Sequence, residues 1–176
     1  MHLGEKMDNF QISEFAEEDW EIYRLVRLES LKDSPDSFGS TFKRESKFNE
    51  NEWKSRLIPS INPVHVLPLV AMSNEKPVGL ASGAVHPEEE NIAYVYQMWI
   101  SNPYRGLGIG KALLKRIEVW AKELRLKSLS LAVTTSNEEA VSLYKSAGFI
   151  ASGNLYPLRE DSDLLVQPMS LELNNA

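Results

Sequence analysis

The stretch RGLGIGK, residues 105–111, decides the fold, because it stands between a predicted strand and a predicted helix. It follows the apolar, aromatic-rich run Ile92–Ile100 and opens a segment whose apolar residues recur at helical spacing, namely Ile109, Leu113, Ile117, Trp120 and Leu124. Its three glycines remove side chains that would keep a ligand from the backbone. The first N–H groups of a helix lack internal partners, so this strand–loop–helix unit predicts a phosphate site.

Two familiar phosphate-binding loops do not fit this stretch. A Walker loop needs Ser or Thr after its lysine, but Ala112 follows Lys111, and Arg105 stands at the leading glycine position. The dinucleotide fingerprint GxGxxG, begun at Gly106, would need a third glycine where Lys111 stands. A tight turn without any ligand is the simpler alternative, and three glycines would be a costly way to make one.

The apolar pattern of the whole chain predicts a mixed sheet with helices on its faces. We expect strands at residues 10–15, 66–72, 78–85, 92–100, 128–133, 149–152 and 164–173, and helices at 17–31, within 37–57, from 109 to 124 and from 136 to 147. Pro68 predicts an edge or irregular strand. The sequence SNEE at 136–139 predicts a capping box, and Gly148 predicts a left-handed helix end.

Composition limits the classes of protein that fit. The chain has 176 residues, 43% hydrophobic and 25% charged, which indicates a globular domain with one main core. The absence of Cys excludes disulfides, thiolate metal sites and cysteine nucleophiles. No signal sequence is recognisable at the N-terminus, and the longest apolar runs are too short to span a bilayer, so we expect a cytoplasmic protein without a membrane partner.

The charge is unevenly distributed along the chain. The net charge of −6 and the pI near 5.2 argue against a nucleic-acid partner. Residues 101–127 nevertheless hold seven basic and two acidic residues, an excess of positive charge on the glycine loop and its helix. This local excess is where a phosphorylated ligand would be attracted.

The glycine loop and the segment NEEAVSLYKSAGF, residues 137–149, together resemble the GNAT superfamily of acetyl-CoA-dependent N-acetyltransferases, of the uncharacterised bacterial type. The loop has the pattern R-x-x-G-x-G, and the second segment has N-x-x-A-x-x-x-Y-x-x-x-G-F at the expected distance. The resemblance implies an α/β fold (α+β mixed) whose central sheet, mostly antiparallel, has about seven strands flanked by about four helices. It further implies one N-acetyltransferase domain over 1–176, with a cofactor core at about 92–150 and acceptor-side elements at about 16–60 and 153–164.

The resemblance also implies how acetyl-CoA, the cosubstrate, would bind. Backbone N–H groups of Leu107, Gly108, Gly110 and Lys111 would hold its pyrophosphate. Arg105 and Gly106 would shape the approach to the loop, and Ile109 is counted among its cofactor-binding residues. The two central strands of such folds part to admit the cofactor. The pantetheine arm would follow Met98 and Ile100, and the Met98 N–H would stabilise the developing oxyanion. No metal is implied.

Two residues of the second segment have a family role and a plainer alternative. Asn137 would contact the pantetheine arm, although it also suits a helix cap, and it could do both. Tyr144 would protonate the departing CoA thiolate, because a phenol is a sensible match for an aliphatic thiol. The alternative for Tyr144 is an ordinary half-buried core tyrosine.

The general base stays open at this point. The strand Ile92–Ile100 contains no carboxylate and no histidine, and Tyr94 and Tyr96 occupy the places where a base is expected. The three glutamates at 88–90 fit a solvated turn, and His65 and His86 could titrate near neutrality but also fit structural or exposed roles. Water ordered by Tyr96 or by a backbone carbonyl is equally open.

The acceptor side, about residues 28–41 and 155–163, gives opposing signals. Candidates that could attract a cationic amine are Glu29, Asp33, Asp36 and Asp161, whereas Arg159 could hold a carboxylate. Phe38 and Phe42 could line a pocket or pack in a core. Three hypotheses follow: direct acetyl transfer to a primary amine of a small molecule, acetylation of a protein or peptide, and non-catalytic acyl-CoA binding. A homodimer is common among such folds.

Overall fold

A central mixed sheet organises the chain, for which the computed structural model describes residues 9–58 and 65–174. Within these residues the sheet has eight strands: β1 (Gln11–Glu14), β2 (His65–Ser73), β3 (Lys76–Val85), β4 (Ile92–Ile100), β5 (Ser128–Thr134), β6 (Ile150–Ala151), β7 (Tyr156–Pro157) and β8 (Leu165–Glu172). Their order is β1-β2-β3-β4-β5-β8-β6, and β7 also pairs with β8. Every pairing is antiparallel except that of β4 with β5, which is parallel.

Helices cover both faces of the sheet. The described residues form α1 (Trp20–Asp33), α2 (Phe42–Glu45), α3 (Glu50–Ser55), α4 (Ile109–Glu123) and α5 (Glu138–Ser146), with 3₁₀ turns at Glu17–Asp19, Pro35–Ser37 and Asn102–Tyr104. The predicted fold class is confirmed. The element count is higher than expected, because β7 is too short to carry a sequence pattern and the segment 37–57 forms two short helices, whereas β6 lies within the strand predicted at 149–152. No described helix combines the length and the apolar character needed to cross a membrane.

The core has two layers, which follow from the period-two alternation of strand side chains. On β2, Leu69 points into the cluster that α4 covers, and its neighbour Val70 points into the cluster under α1 and α3. Ile117 of α4 and Trp53 of α3 are fully buried at the centres of the two layers. The sheet is therefore held between α4 on one face and α1 with α3 on the other.

Two local predictions were only partly right. Pro68 does not lie on an edge strand, since β2 pairs with both β1 and β3, but β2 is irregular, with a register shift against β3 between Ala71 and Met72. The Pro68 carbonyl accepts from the Phe15 N–H at 2.8 Å, which shows that the backbone polar positions of Pro68 face β1. Because β1 ends at this point, the missing N–H of Pro68 costs the sheet no hydrogen bond. The cap of α5 is Asn137, whose Oδ1 accepts from the Ala140 N–H, in place of Ser136. Gly148 does end this helix with a φ of +98°, as predicted.

Candidate active site

The central strands β4 and β5 part halfway along their length. They pair only where Ile92, Ala93 and Tyr94 lie beside Ser128, Leu129 and Ser130. Beyond Tyr94 and Ser130 the two strands have no register partners in each other, and a cavity of about 620 Å³ lies between them. The sheet is thus opened at its centre, which is where a ligand could reach backbone groups of both strands.

A bulge in β4 faces this cavity. Trp99 pairs with Leu80 and Tyr96 pairs with Ser82, so that Gln97 and Met98 stand opposite a single residue of β3. Gln97 has a φ of +59°, unusual for a residue with a side chain, and its amide oxygen accepts from the Tyr23 hydroxyl at 2.8 Å. Bulges of this kind interrupt pairing and re-aim backbone groups. Here the interruption falls on Met98, which lines the cavity.

A second cavity of about 750 Å³ continues from the first along the glycine loop. Both cavities are lined by Ser37, Met98, Asn137 and Ala140, so they form one continuous cleft. The cleft runs from the opened sheet, between α4 and α5, to the loop that precedes α4. The sequence motifs at 105–111 and 137–149 therefore border the same cleft.

The glycine loop leaves backbone exposed at the start of α4. Gly106 and Gly108 have φ values of +78° and +88°, and a Cβ built on either would meet no atom within 4 Å. Gly108 is the N-cap of α4 and brings no side chain to satisfy the first N–H groups of the helix. A helix N-terminus left open in this way carries partial positive charge and suits an anion.

The remaining residues of the loop have different surroundings. Ile109 is only 2% exposed and packs in the core, so it could offer a ligand its backbone alone. Gly110 allows α4 to approach α5, because a Cβ there would lie 3.1 Å from the Leu143 side chain. Lys111 and Ile100 line the cleft, whereas the side chain of Leu107 is exposed outside the lining.

Arg105 fixes the loop to neighbouring elements. Its Nε donates to the Ile100 carbonyl and its Nη2 donates to Asp33 Oδ2, both at 2.9 Å. Asp33 also accepts from Ser34 and from Trp99 Nε1. Hydrogen bonds from Ser34 and Trp99, and then the charge of Arg105, hold the pKa of Asp33 below its usual value. The carboxylate of Asp33, a candidate for attracting a cationic amine, is thus already hydrogen-bonded to Ser34, Trp99 and Arg105.

Tyr144 lies at the inner end of the cleft. It is 6% exposed, packs against the ring of Phe149 and lines the cavity between β4 and β5. Burial raises the pKa of its hydroxyl, so the protonated form is favoured. Its hydroxyl forms no side-chain hydrogen bond within the described part of the chain. Asn137, two turns earlier, caps α5 and also reaches Ser37 Oγ through its Nδ2 at 3.3 Å.

The segments predicted to form the acceptor side border the cavity and are tied to each other. Arg159 donates to the carbonyls of Pro35 and Phe38 at 3.1 and 2.7 Å, so its guanidinium binds the loop after α1. Thr134, at the end of β5, donates to the Asp36 carbonyl. Phe38 is buried and lines the cavity, whereas Phe42 packs against the core beneath α1. The region at 35–40 is thus fastened to β5 and to the segment after β7.

A buried cluster of charged residues packs against the segment at 35–40 through the contact of Arg27 with Phe38. Glu45 is fully buried and accepts from Arg27 Nε and Nη2 at 3.0 and 2.9 Å and from Arg56 at 2.6 Å. Burial alone would raise the pKa of Glu45, but the hydrogen bonds and charges of the two arginines outweigh it and lower the pKa. The Arg27 guanidinium also stacks under the Phe38 ring, 4.7 Å from its centroid.

One group of residues is connected in a way that the sequence did not reveal. Tyr94 and Tyr96 line the cavity and stack with a ring separation of 5.9 Å. His86 Nε2 lies 2.8 Å from the Tyr96 hydroxyl, and the Tyr94 hydroxyl donates to Glu89. The i, i+2 spacing on β4 was the available signal for the tyrosine pair. The three glutamates at 88–90 predicted that the turn at 86–91 is only solvated. The hydrogen bonds from the tyrosines to His86 and Glu89 of this turn depend on the hairpin geometry.

Comparison with known proteins places this geometry in a family. The sequence profile of the acetyltransferase (GNAT) family matches residues 14–149. An uncharacterised N-acetyltransferase of Bacillus subtilis, YdgE, is 23% identical over 145 residues, which cover 80% of this chain and 91% of that protein. These matches, with the parted sheet and the glycine loop, define an acyltransferase. The chain belongs to the GNAT acetyltransferase family.

Solved structures share the fold at low sequence identity. The spermidine N-acetyltransferase of Vibrio cholerae, solved with CoA and spermine, has a TM-score of 0.73 and 16% identity, covering 95% of this chain and 97% of that one. The ribosomal-protein-S18-alanine N-acetyltransferase of Escherichia coli has a TM-score of 0.67 and 20% identity, covering 95% and 96%. Because one neighbour is named for a polyamine and the other for a protein, the fold alone does not choose the acceptor.

Proposed function

We propose that this enzyme transfers the acetyl group of acetyl-CoA to a primary amine of a small molecule by direct attack. The observation that carries the proposal is the continuous cleft, which joins an exposed helix N-terminus at Gly108 to the parted strands and to buried Tyr144. An anionic cofactor with a long, narrow arm and a reactive end matches such a cleft. The family membership and the CoA in the Vibrio cholerae neighbour support the same ligand.

The residues along the cleft match the successive parts of coenzyme A, from the pyrophosphate to the pantetheine arm. Open backbone at Gly106 and Gly108 suits the pyrophosphate, with Lys111 adding positive charge at the same end. Met98 and Ile100 offer strand backbone to the amides of the pantetheine arm. Asn137 lies between the two cavities, where its amide would reach the same arm.

Two groups would assist the chemistry at the thioester. The bulge releases Met98 from strand pairing, so that its N–H is available to the carbonyl oxygen as negative charge develops there. The Tyr144 hydroxyl keeps its proton at neutral pH, because burial raises its pKa. It would donate that proton to the sulfur as the carbon–sulfur bond breaks.

Two segments tied to each other border the proposed acceptor end of the cavity, an arrangement that favours a small molecule over a protein chain. Phe38, Tyr156 and Leu158 border the cavity between β4 and β5, and Arg159 ties their segments together. An extended polypeptide would need an open groove at this place. A small amine fits a cavity of about 620 Å³, a size typical of small-molecule sites.

Release of free thiol from acetyl-CoA tests the proposal. Amines, polyamines, amino acids and peptides are supplied separately, and the acetylated product is identified by mass spectrometry. We expect release with at least one small amine and none with peptides alone. Tight CoA binding without release over the whole panel would instead support a non-catalytic acyl-CoA-binding protein.

A further inference from the structure

On the β4 side of the proposed acceptor cavity, Tyr96 and His86 form a hydrogen-bonded pair to which the proposed function assigns no role. Tyr96 lines the cavity with 41% of its surface exposed, and its hydroxyl lies 2.8 Å from His86 Nε2. The His86 ring also contacts the rings of Tyr94 and Tyr96, at centroid distances of 5.4 and 5.8 Å. The pair therefore connects the cavity to the turn that follows β3.

Acetylation of an amine requires that two protons leave its nitrogen. A primary amine is an ammonium ion at neutral pH, so one proton must leave before nitrogen can attack. A second N–H proton must leave as the amide forms. No carboxylate side chain belongs to β4 or lines the cavity within the described residues. The protons must therefore pass through hydroxyl groups, through backbone or through water.

Tyr96 by itself is a poor base. Burial, the charge of Glu89 and the neighbouring Tyr156 raise the pKa of Tyr96, so it remains a neutral phenol. The same burial and Glu89 raise the pKa of Tyr94 to about 12. A neutral phenol can accept a proton only if it gives up its own at the same time. His86 Nε2 is within hydrogen-bond distance to receive it.

We propose that Tyr96 and His86 form the proton exit of the acceptor site, an inference that rests on the proposed function. The amine N–H bond breaks as an O–H bond forms on Tyr96, and the original Tyr96 O–H bond breaks as an N–H bond forms at His86 Nε2. The imidazolium then gives one ring proton to solvent, and exchange through water leaves the remaining proton on Nδ1, so that Nε2 can again accept from Tyr96. Charged and titratable neighbours of the pair include Glu89, Tyr94 and Tyr156.

Two substituted ethylamines that differ widely in basicity provide the test, with each variant compared with wild type for the same amine. Ethylamine is protonated at pH 7 and depends on the exit, whereas 2,2,2-trifluoroethylamine is largely unprotonated and depends on it much less. With saturating acetyl-CoA, we expect His86→Gln to lower kcat/KM for ethylamine by about tenfold or more. For trifluoroethylamine we expect a loss of less than about threefold. Tyr96→Phe should give the same pattern.

A double variant and a control variant separate proton transfer from folding. Because the two residues act as one unit, the double variant His86→Gln/Tyr96→Phe should be no slower than either single variant. His65→Gln changes an exposed imidazole at the start of β2, outside the cavity lining, and should not alter the ratio of the two amines. Melting temperatures of all variants check that they are folded.

The possible failures have distinct signatures. Equal losses with both amines would overturn the relay and indicate a structural role for His86. An unchanged ethylamine rate in His86→Gln would also overturn it. If the wild-type protein binds CoA but releases no thiol with either amine or with the wider panel, the proposed function fails and the relay fails with it.

Discussion

Arg105 and Asp33 join the glycine loop to the end of α1, with 2.9 Å between the guanidinium Nη2 and the carboxylate Oδ2. The two residues are 72 positions apart in sequence, and the second hydrogen bond of Arg105 ends on the Ile100 carbonyl. A side chain at the end of α1 thereby helps to hold the glycine loop. We predict that this contact couples the proposed cofactor-binding and acceptor regions.

Replacing Asp33 tests that coupling. We expect Asp33→Asn to weaken CoA binding by about threefold to tenfold, because a charge-assisted hydrogen bond to Arg105 is lost and the loop is less well fixed. The pKa of Asp33 is already lowered by Ser34, Trp99 and Arg105, so the carboxylate stays charged throughout the neutral range. The loss should therefore be equal at pH 6 and pH 8 by titration calorimetry. Glu21→Gln, at the far end of α1, is the control, and equal affinities for both variants would contradict the coupling.

Two substitutions at Gly108 separate the effect of charge from the effect of shape at the proposed pyrophosphate site. Asn and Asp tolerate a left-handed φ better than other residues, so both variants should fold. Each would place a side chain in the open space of the loop, but only Gly108→Asp adds negative charge. We expect calorimetry to give Kd values for CoA in the order wild type, Gly108→Asn, Gly108→Asp, with the last raised by more than about tenfold. Unaltered CoA affinity in Gly108→Asp would show that the pyrophosphate binds elsewhere.

The buried carboxylate of Glu45 predicts a large loss of stability. Glu45→Gln should lower the free energy of unfolding by about 3–5 kcal/mol, because Arg27 is left buried without its counter-ion. Denaturant unfolding measures this change. Glu50→Gln removes an exposed carboxylate from α3 and should have no measurable effect.

The stability contributed by Glu45 also depends on pH. Its pKa is lower in the folded than in the unfolded protein, so its contribution is complete above the ordinary glutamate pKa of about 4.3 and is lost as pH falls through the folded value. Wild-type stability should therefore fall more steeply below about pH 5 than that of Glu45→Gln. Parallel curves for the two proteins would contradict the assignment.

Local patterns account for the parts that were predicted correctly. The helical spacing from Ile109 to Leu124 and the glycines before it depend on neighbours within a few residues, and α4 follows both signals. Gly148 likewise ends α5 in a left-handed conformation. Strand β4 was predicted with its observed bounds because only Gln97 interrupts its run of apolar and aromatic residues.

Features that depend on pairing between distant segments could not be predicted from local sequence patterns. The bulge at Gln97 and Met98 needs the register of β3, and the parting of β4 from β5 was expected only through the family resemblance. The chain also gave Arg159 as a candidate for binding a carboxylate, whereas it binds the carbonyls of Pro35 and Phe38 from 121 or more residues away. Such contacts are fixed by the tertiary fold, and no local pattern records them.

Removal of the Tyr144 hydroxyl tests its role as the general acid. Tyr144→Phe keeps the packing against Phe149, so we expect CoA affinity within about twofold of wild type and a kcat lower by about a hundredfold or more. Because burial raises the pKa of Tyr144, its ionisation should not limit the wild-type rate up to about pH 10. Tyr104→Phe is the control for removing a tyrosine hydroxyl. Unchanged turnover in Tyr144→Phe would remove this residue from the mechanism.

The most direct measurement follows the acetyl group itself. Wild-type protein is mixed with acetyl-CoA labelled in the acetyl carbons and with the best amine of the panel, and both products are counted. Direct attack predicts one labelled N-acetylamine for each free CoA thiol, with no label retained on the protein. Label retained on the protein would contradict direct transfer, and CoA binding without any labelled amine would contradict the acetyltransferase activity.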